Sequence, residues 1–383
     1  MTTAAYSHTR PSVLIIGGGY GGIAVAKGLD DVAEVTLVEP KDAFVHNVAA
    51  LRALVAPRWL PQIFLPYDHL LQNGRVVRDR VVRLEGRRAL LASRIEIDAD
   101  FVVLATGSSY PFPAKSDITD TVRAHEQYRA THEALASSGR VLILGAGAVG
   151  LELAGEIAAA WPEKRITIVD LANDILPGGY RPELRAELRR QLGELGIELV
   201  LGSPLRENPP TPPGVLQPFS VRTEAGTEIA ADIWFRAYGI APVTDYLVGE
   251  LAALCTPEGY VQVTPYLELP GQEGIFAVGD ITAGHPNGAG RAGRHGDLVA
   301  ANLRTLITGR GELVGAQVAP PAIILPLGPE GGVGQRPDQE ELLGPEAVAE
   351  IKGRDMMIDR FAEKLGVLQP TTQRRRRLNR TTT

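Results

Sequence analysis

Two glycine turns of the form G-x-G-x-x-G stand in this chain, each after a short apolar run and each followed by an acid that ends the next apolar run. The first, Gly17-Gly18-Gly19-Tyr20-Gly21-Gly22, follows Val13 to Ile16; the second carries Gly145, Gly147 and Gly150 after Val141 to Leu144. The pattern predicts strand, sharp turn and helix twice over. The first glycine of each set makes the turn, the second lets backbone approach a pyrophosphate, and the third lets helix and strand pack. The helix N-terminus then faces the phosphate charge. Glu39 closes Val35 to Val38 and Asp170 closes Ile166 to Val169, where a carboxylate accepts both ribose hydroxyls of an adenosine. One such turn is common in βαβ units. Two, each with its acid, predict a chain that holds two dinucleotides and passes electrons between them.

The bulk numbers narrow the choices. A length of 383 residues suits roughly two to three domains. Lys and Arg total 39 against 45 Asp and Glu, which leaves no domain-wide basic face for nucleic acid. No apolar run approaches the roughly eighteen residues of a spanning helix, and no charged-then-apolar leader precedes the first strand, so a cytoplasmic protein is expected. Cys255 is the sole cysteine, so no intrachain disulfide can form. Without a redox dithiol, electrons must pass directly from a bound cofactor to an acceptor. No His, Cys, Asp or Glu spacing resembles a metal site, and no metal is expected.

These runs predict an α/β protein with two Rossmann-like dinucleotide-binding domains and a small C-terminal α+β domain. The FAD-binding domain is read as discontinuous, residues 10–125 and 255–315, with the NAD(P)H-binding domain, 126–254, inserted and the C-terminal domain at 316–370. Phe101 to Leu104 leads into Ala105-Thr106-Gly107, a compact crossover found in many flavin-binding domains. Ile233 to Gly239 reads as the strand that returns the chain from the insert, and Pro209, Pro210, Pro212 and Pro213 as a stiff surface loop. Gly274 to Asp280 reads as a short buried strand ending in Gly279-Asp280, with a helix from about Ala292 to Leu306 after it. In a flavin domain this strand end makes both Gly279 and Asp280 cofactor-binding candidates. It sets Asp280 at a ribityl hydroxyl and aims the helix N-terminus at the isoalloxazine, whose reduced form carries negative charge. Beyond it come an apolar strand from Ala322 to Leu327, a turn through Gly334 and a helical stretch from Pro345. Residues 371–383, with Arg374 to Arg377, read as a disordered basic tail, a solvated charge run or a weak grip on anionic lipid headgroups.

With these residues placed, the chain resembles the apoptosis-inducing-factor-like branch of the two-dinucleotide flavoproteins from about residue 12 to 365. The run Lys41-Asp42-Ala43-Phe44-Val45-His46-Asn47-Val48-Ala49-Ala50-Leu51-Arg52 is similar to that family's segment after the first acid. Gly147 to Glu152 resembles its second turn with an active-site glutamate, and Lys352-Gly353-Arg354-Asp355 its C-terminal lysine motif. The resemblance implies FAD on the first turn, NADH or NADPH on the second, and a quinone-like acceptor. It implies that Lys41 and Arg52 hold the flavin cofactor, that Val82 touches the adenine, and that Asp280 binds the ribityl chain. Gly239, at the end of the return strand, joins the cofactor-binding candidates. Three features depart from the family, one of them the divergent stretch Arg336 to Glu350. The chain begins Met1-Thr2-Thr3 rather than with a Met-Gly myristoylation signal, and Gly284 to Arg294 is richer in glycine and arginine than a lipophilic quinone requires.

Hydride chemistry belongs to the cofactors, and the protein aligns them. Glu152 is expected to face the nicotinamide cleft, with Glu156 one helical turn on as a structural residue. Lys352 is expected as a cation for developing negative charge, with a surface lysine as the alternative. His46 is a candidate proton donor, with a packed histidine as the alternative. His285 and His295 flank the Gly-Asp strand end without an assigned role. Asp170 favours NADH because it repels a 2′-phosphate, an effect that Lys164 and Arg165 could partly offset. Two other functions fit the same residues: a reductase of a small redox protein such as a ferredoxin, docked at Arg291 and Arg294, and an NADH-sensing flavoprotein acting through a charge-transfer complex.

Overall fold

Five strands that are apolar over most of their length form one parallel sheet, in the order Ile275–Ala277, Phe101–Leu104, Ser12–Ile16, Glu34–Val38 and Arg75–Val77. Its central strand is buried along Val13 to Ile16, as expected of a parallel strand covered on both faces. The computed structural model describes residues 10–317 and 320–367; the basic tail at 371–383 lies outside them. A second parallel sheet runs Glu198–Leu201, Arg165–Asp170, Arg140–Leu144 and Ile233–Arg236. The first sheet therefore draws strands from both sides of the segment that builds the second. Where the chain passes between them, Ser108–Ser109 pairs antiparallel with Ala241–Pro242, and the Val243 amide donates to the Gly107 carbonyl at 3.0 Å.

Helix Tyr20–Leu29 contains three glycines, and seven of its ten residues are buried. Glycine costs about 1 kcal/mol relative to alanine within a helix, so packing must supply what propensity does not. The partner is helix Ala289–Thr308, which begins earlier and ends later than the expected Ala292 to Leu306. A β-carbon at Gly28 would stand 2.6 Å from Ala300 Cβ, and one at Gly296 only 2.4 Å from the Gly21 carbonyl oxygen. Small residues on both helices let the backbones touch. Arg304 ties the crossing at its far end, donating to the Gly28 carbonyl at 2.8 Å and pairing with Asp31.

The C-terminal part differs from expectation in detail. Ile323–Leu327 pairs with Gly331–Gln335, so Gly334 lies within a strand and the turn falls earlier, at Gly328 with φ of 71°. The stretch from Pro345 is three pieces, a helical turn Pro345–Val348, a wide turn Ala349–Gly353 and helix Ile358–Lys364. Two consecutive left-handed residues, Met356 and Met357, break it. The hairpin lies on helix Ala148–Ala160 through Gly155, where a β-carbon would be 2.6 Å from Leu327 Cα. The proline loop is pinned rather than free, since Trp234 Nε1 donates to the Thr211 carbonyl at 2.8 Å and Pro209 is buried.

Two glycines of the long helix make opposite tests. Gly296→Ala must force the helices apart, at a cost of about 1–3 kcal/mol. Gly293→Ala meets nothing within 4 Å and should stabilise by up to about 1 kcal/mol. Chemical denaturation of both variants checks the pair, and equal effects would mean that the crossing is not tight.

Candidate functional site

The two glycine turns are built alike. Gly17 and Gly145 have φ of 104° and 114°, and their amides donate to Val38 and Val169 carbonyls, both at 2.8 Å. A β-carbon at Gly22 would stand 1.9 Å from the Gly17 carbonyl oxygen, and one at Gly150 equally close to that of Gly145. Each turn leans on an Ala-x-Gly that follows a neighbouring strand of its sheet. Ala105 and Ala237 donate their amides to Ile16 and Leu144 at 2.8 and 2.7 Å, and their carbonyl oxygens fill the space beside Gly17 and Gly145. Gly107 and Gly239 close these triplets with positive φ of 66° and 92°. That second triplet gives Gly239 its place, and the repetition was readable in the sequence from Ala105-Thr106-Gly107 and Ala237-Tyr238-Gly239.

The middle glycines answer a different need. A β-carbon at Gly19 or Gly147 would meet no atom within 4 Å, so the fold itself does not require glycine there. A pyrophosphate lying against the backbone does. The acids sit correspondingly. Glu39 accepts from the Gly18 amide at 2.7 Å and the Lys41 amide at 2.9 Å; Asp170 accepts from Ala146 at 2.6 Å and Ala172 at 2.8 Å. Both carboxylates are thereby held at the mouth of their turns. Sequence reasoning missed Tyr67, whose hydroxyl donates to the Gly18 carbonyl at 2.8 Å. A cleft of about 430 Å³ opens beside Glu39, lined by Lys41, Asp42, Tyr67, Val76 and Arg78 among others. Lys41 also donates to the Ser116 carbonyl at 2.8 Å, and burial lowers its pKa. Val82 is 45 % exposed on the strand Val81–Glu85.

Gly279 is a correction to the sequence reading. The strand stops at Ala277, short of the expected Gly279-Asp280 end, and Gly279 instead opens the tight turn Gly279–Ile281. Its φ of 77° is left-handed, a conformation that ends the extended run and that glycine adopts without strain. The residue is buried, its amide donates to His295 Nδ1 at 3.4 Å, and its carbonyl accepts from Thr282 Oγ1 at 2.8 Å. A β-carbon there would stand 3.0 Å from Ala292 Cβ on the long helix. The fold therefore requires this glycine by itself, unlike Gly19 and Gly147, and its polar backbone groups are taken up by protein partners rather than left for a cofactor. What it contributes to the site is the placement of its neighbour, Asp280.

Asp280 caps the long helix, accepting from the Gly288 amide at 2.9 Å, and takes a hydrogen bond from Ser108 Oγ at 2.7 Å. Lys115, which no periodicity marked, pairs with it at 3.4 Å. Burial depresses the Lys115 pKa and Asp280 opposes that shift. Thr106 Oγ1 donates to the Val243 carbonyl at 2.6 Å, fastening the crossover between the two sheets.

Glu152 and Lys352, 200 residues apart, form an ion pair at 2.7 Å with side chains 17 % and 15 % exposed. Lys352 reaches the Ile324 carbonyl as well, at 3.3 Å. Arg52 behaves differently from expectation. Its guanidinium grips Glu156 in a two-pronged buried pair, donates to the Gly353 carbonyl at 3.0 Å and lies 5.3 Å from the Trp59 ring centroid. Those partners occupy Nε and Nη2, and the pair also lines a cleft of about 390 Å³ with Arg58, His132 and Trp161 among others. Burial pushes the Glu156 carboxyl upward and the guanidinium opposes the rise. His46 is a further correction. Its ring is fully buried, Nε2 donates to the Met356 carbonyl at 2.7 Å, and Nδ1 lies 3.1 Å from the Tyr20 hydroxyl. Phe361 lies against it, ring centroids 4.7 Å apart. Burial lowers its pKa to about 4, so at neutral pH it carries no charge and offers no free proton. Tyr20 is its partner in this aromatic packing, with Phe44 and Phe361 edge-on at 5.1 and 5.0 Å.

Residues 11–296 match the family model described as pyridine nucleotide-disulphide oxidoreductase. The chain belongs to this family. It is an oxidoreductase that binds FAD and NAD(P)H, though its single cysteine leaves it without the dithiol in the family's name. It is 29 % identical to apoptosis-inducing factor homolog B of Dictyostelium discoideum, over 95 % of this chain and 99 % of that one. It is 30 % identical to ferroptosis suppressor protein 1 of Taeniopygia guttata, over 94 % and 97 %. Among solved structures, it resembles the sulfide:quinone oxidoreductase of Aquifex aeolicus with a TM-score of 0.74 at 18 % identity, covering 93 % of this chain and 91 % of that one. It also resembles a chain of the covalent putidaredoxin reductase–putidaredoxin complex, TM-score 0.66 at 20 % identity, over 82 % and 79 %. No described helix is long and apolar enough to cross a membrane.

Two outcomes follow for this oxidoreductase. Gly19→Val should leave a folded protein with at least about tenfold weaker FAD binding, because its β-carbon obstructs only the ligand. Gly147→Val should retain FAD and lose NADH affinity, as read by flavin absorbance and by titration with NADH; flavin retention in the first variant would show that the pyrophosphate lies elsewhere. The second outcome concerns acid. His46 and His295 are both held near a pKa of about 4 against 6.5 in the unfolded chain. Their contribution is complete above about pH 6.5 and is lost as pH falls toward 4, roughly 3 kcal/mol for each ring. Urea unfolding from pH 7 to 4.5 should show a shallower decline in His46→Gln/His295→Gln than in the parent, and parallel declines would contradict the shifts.

Proposed function

We propose that this oxidoreductase takes hydride from NADH and delivers two electrons to a quinone. Bound FAD supplies the relay between nicotinamide and acceptor, and the residues of the first glycine turn, Glu39 and the Asp280 cluster fit it. The observation that carries the reading is the ion pair between Glu152, on the helix that follows the nicotinamide-side turn, and Lys352, from the C-terminal segment. A cation held by a carboxylate yet still accessible suits the stabilisation of charge on a quinone oxygen. Glu152 fixes where the ammonium stands. Among the proteins named above, the sulfide:quinone oxidoreductase carries a quinone in its name, a statement about that protein that suggests the acceptor class here.

NADH preference rests on Asp170. Its carboxylate ends the strand beside the second glycine turn, accepting from the Ala146 and Ala172 amides, and on this reading it would receive the adenosine ribose and repel a 2′-phosphate. Lys164 does not offset it. That ammonium donates to the carbonyls of Ala136 and Ser138 and lies 5.1 Å from the Trp161 ring centroid. It precedes the start of strand Arg165–Asp170, about 20 Å along the strand from the acid.

Three measurements test these statements. Holoenzyme should be bleached by NADH without oxygen and regain its colour on adding menadione. Glu152→Gln and Lys352→Met should each lower kcat with menadione by at least about tenfold while FAD content and thermal unfolding stay as in the parent; unaltered rates would reduce the pair to a structural contact. NADH should exceed NADPH by about tenfold or more in kcat/KM, with Asp170→Ser narrowing the ratio. Equal efficiency with NADPH would mean that Asp170 does not face the ribose.

A further inference from the structure

The cleft of about 390 Å³ that Arg52 and Glu156 line includes no residue of either glycine turn. Its walls come from the segment that holds Arg52, from helix Thr121–Ala136, from the far end of helix Ala148–Ala160 and from Pro329 in the turn of the C-terminal hairpin. Small apolar side chains, Val55, Ala136 and Ala160 among them, cover much of it, and Trp161 adds a flat aromatic face. That face is held in place by His132, ring centroids 5.5 Å apart, and by the Lys164 ammonium, 5.1 Å from its centroid. Two polar atoms on the lining residues have no partner among the described residues. Arg52 is 5 % exposed, its Nε and Nη2 are taken by Glu156 and the Gly353 carbonyl, and its Nη1 makes no hydrogen bond. His132 Nδ1 lies 2.8 Å from the Leu54 carbonyl. That contact makes Nδ1 the protonated nitrogen and leaves Nε2 of the neutral ring as an acceptor. Neither Nη1 nor Nε2 is among the sealed, unpartnered atoms of the described residues, so both open to the cleft that their residues line.

The charge of Arg52 is already met by Glu156, so the cleft offers a spare N–H rather than an unpaired cation. An anion would crowd the Glu156 carboxylate in the same lining, and Arg58, the other cation there, is exposed to solvent screening. A neutral group that both accepts and donates a hydrogen bond satisfies Nη1 and Nε2. A phenolic hydroxyl has both capacities and stays protonated at neutral pH. Its ring suits the Trp161 face and the small apolar side chains, and a cleft of this size takes a one- or two-ring molecule. We propose that this cleft is a ligand site separate from both dinucleotide turns, and that its ligand is a neutral aromatic carrying a phenolic hydroxyl. The ring lies on Trp161, and the hydroxyl accepts from Arg52 Nη1 and donates to His132 Nε2. Binding is non-covalent and moves no electron. Because the walls come from segments on both sides of the second sheet's strands as well as from its helix, an occupied cleft joins segments that otherwise meet through Arg52, and the folded protein gains stability from the ligand. The assignment does not depend on which acceptor the enzyme reduces.

The test measures 2-naphthol binding to oxidised holoenzyme by equilibrium dialysis, with saturating NAD⁺ to fill the nicotinamide site. Ala160→Trp, which fills the cleft from an exposed helix position, should weaken binding by at least about tenfold while FAD content and bleaching by NADH stay as in the parent. 2-Methoxynaphthalene, which keeps the acceptor oxygen and loses the donor, should bind the parent about tenfold more weakly than 2-naphthol. In His132→Phe the two probes should bind alike, because the acceptor that tells them apart is gone. 2-Naphthol should also raise the thermal unfolding temperature of the parent and leave that of Ala160→Trp unchanged. Undiminished 2-naphthol binding in Ala160→Trp would place the probe elsewhere and overturn the proposal. Equal binding of the two probes to the parent, or no binding of 2-naphthol at all, would overturn it as well. Tighter binding of 2-naphthoate than of 2-naphthol would make the cleft an anion site and overturn the neutral class. If His132→Phe does not fold, the probe comparison in the parent and the filled cleft of Ala160→Trp decide the matter.

Discussion

Backbone pressed against backbone, with no space for a β-carbon, is the contact on which both nucleotide-binding units depend. At Gly22 and Gly150 the carbonyl oxygen of the turn's own first glycine lies 1.9 Å from where Cβ would be. An alanine there would push the helix off the strand. The helix start would then lose its aim at the phosphate position, because the orientation of its free amides is set by that packing. The same contact recurs one level up. Gly21, Gly28 and Gly296 bring the first helix against the helix that Asp280 caps, so the two parts of the first nucleotide-binding unit, distant in sequence, approach through small residues. The site is shaped by what these positions lack.

Buried charge does the complementary work of joining units that backbone contact does not reach. Arg52 comes from the segment after the first glycine turn, Glu156 from the helix of the second glycine turn, and Gly353 from the C-terminal segment, and one guanidinium holds all three. Removing one partner of such a pair strands the other in the interior, which costs about 3–5 kcal/mol. Glu152 and Lys352 join the last two of these segments one helical turn nearer the glycine turn and stay partly accessible. Burial separates their uses. The inner pair holds the units together, and on the quinone reading the outer pair keeps a cation within reach of the acceptor.

Much of this was legible because the residues involved serve local backbone rules. The glycine turns, the strand-ending acids Glu39 and Asp170 and the Gly279-Asp280 step are marked by spacing along a few residues. What the step does was less legible, because Gly279 answers to Ala292 and His295 on the long helix, and only the folded chain brings that helix alongside. The exact partners of Arg52, His46 and Lys115 were hidden for the same reason, since each depends on a contact across a long stretch of chain: 104 residues to Glu156, 310 to Met356 and 165 to Asp280. A resemblance could say that Arg52 matters without saying that it meets a glutamate. The hairpin turn was misplaced for a local reason. Gly331, Gly332 and Gly334 suggest a turn, yet they are strand residues crowded against Leu325, Leu327 and Leu343.

The absence of a dithiol shapes what the remaining side chains must do. In this chain the sole cysteine, Cys255, is partly buried and its thiol is held above its usual pKa by that burial, so it offers neither a disulfide partner nor a ready thiolate. Electrons therefore leave from the bound cofactor itself, and the acceptor has to come within contact distance of it. On the quinone reading, hydride brings one proton and a second must be found. His46 and His295 are kept neutral by burial at physiological pH, so neither of these two buried imidazoles carries the extra proton. Water or a group at the acceptor's own face must then supply it, and Lys352 is proposed to stand at that face. Positive charge around a forming hydroquinone anion lowers the demand for a dedicated acid. Such a site can work with cations that hold charge while solvent delivers the proton.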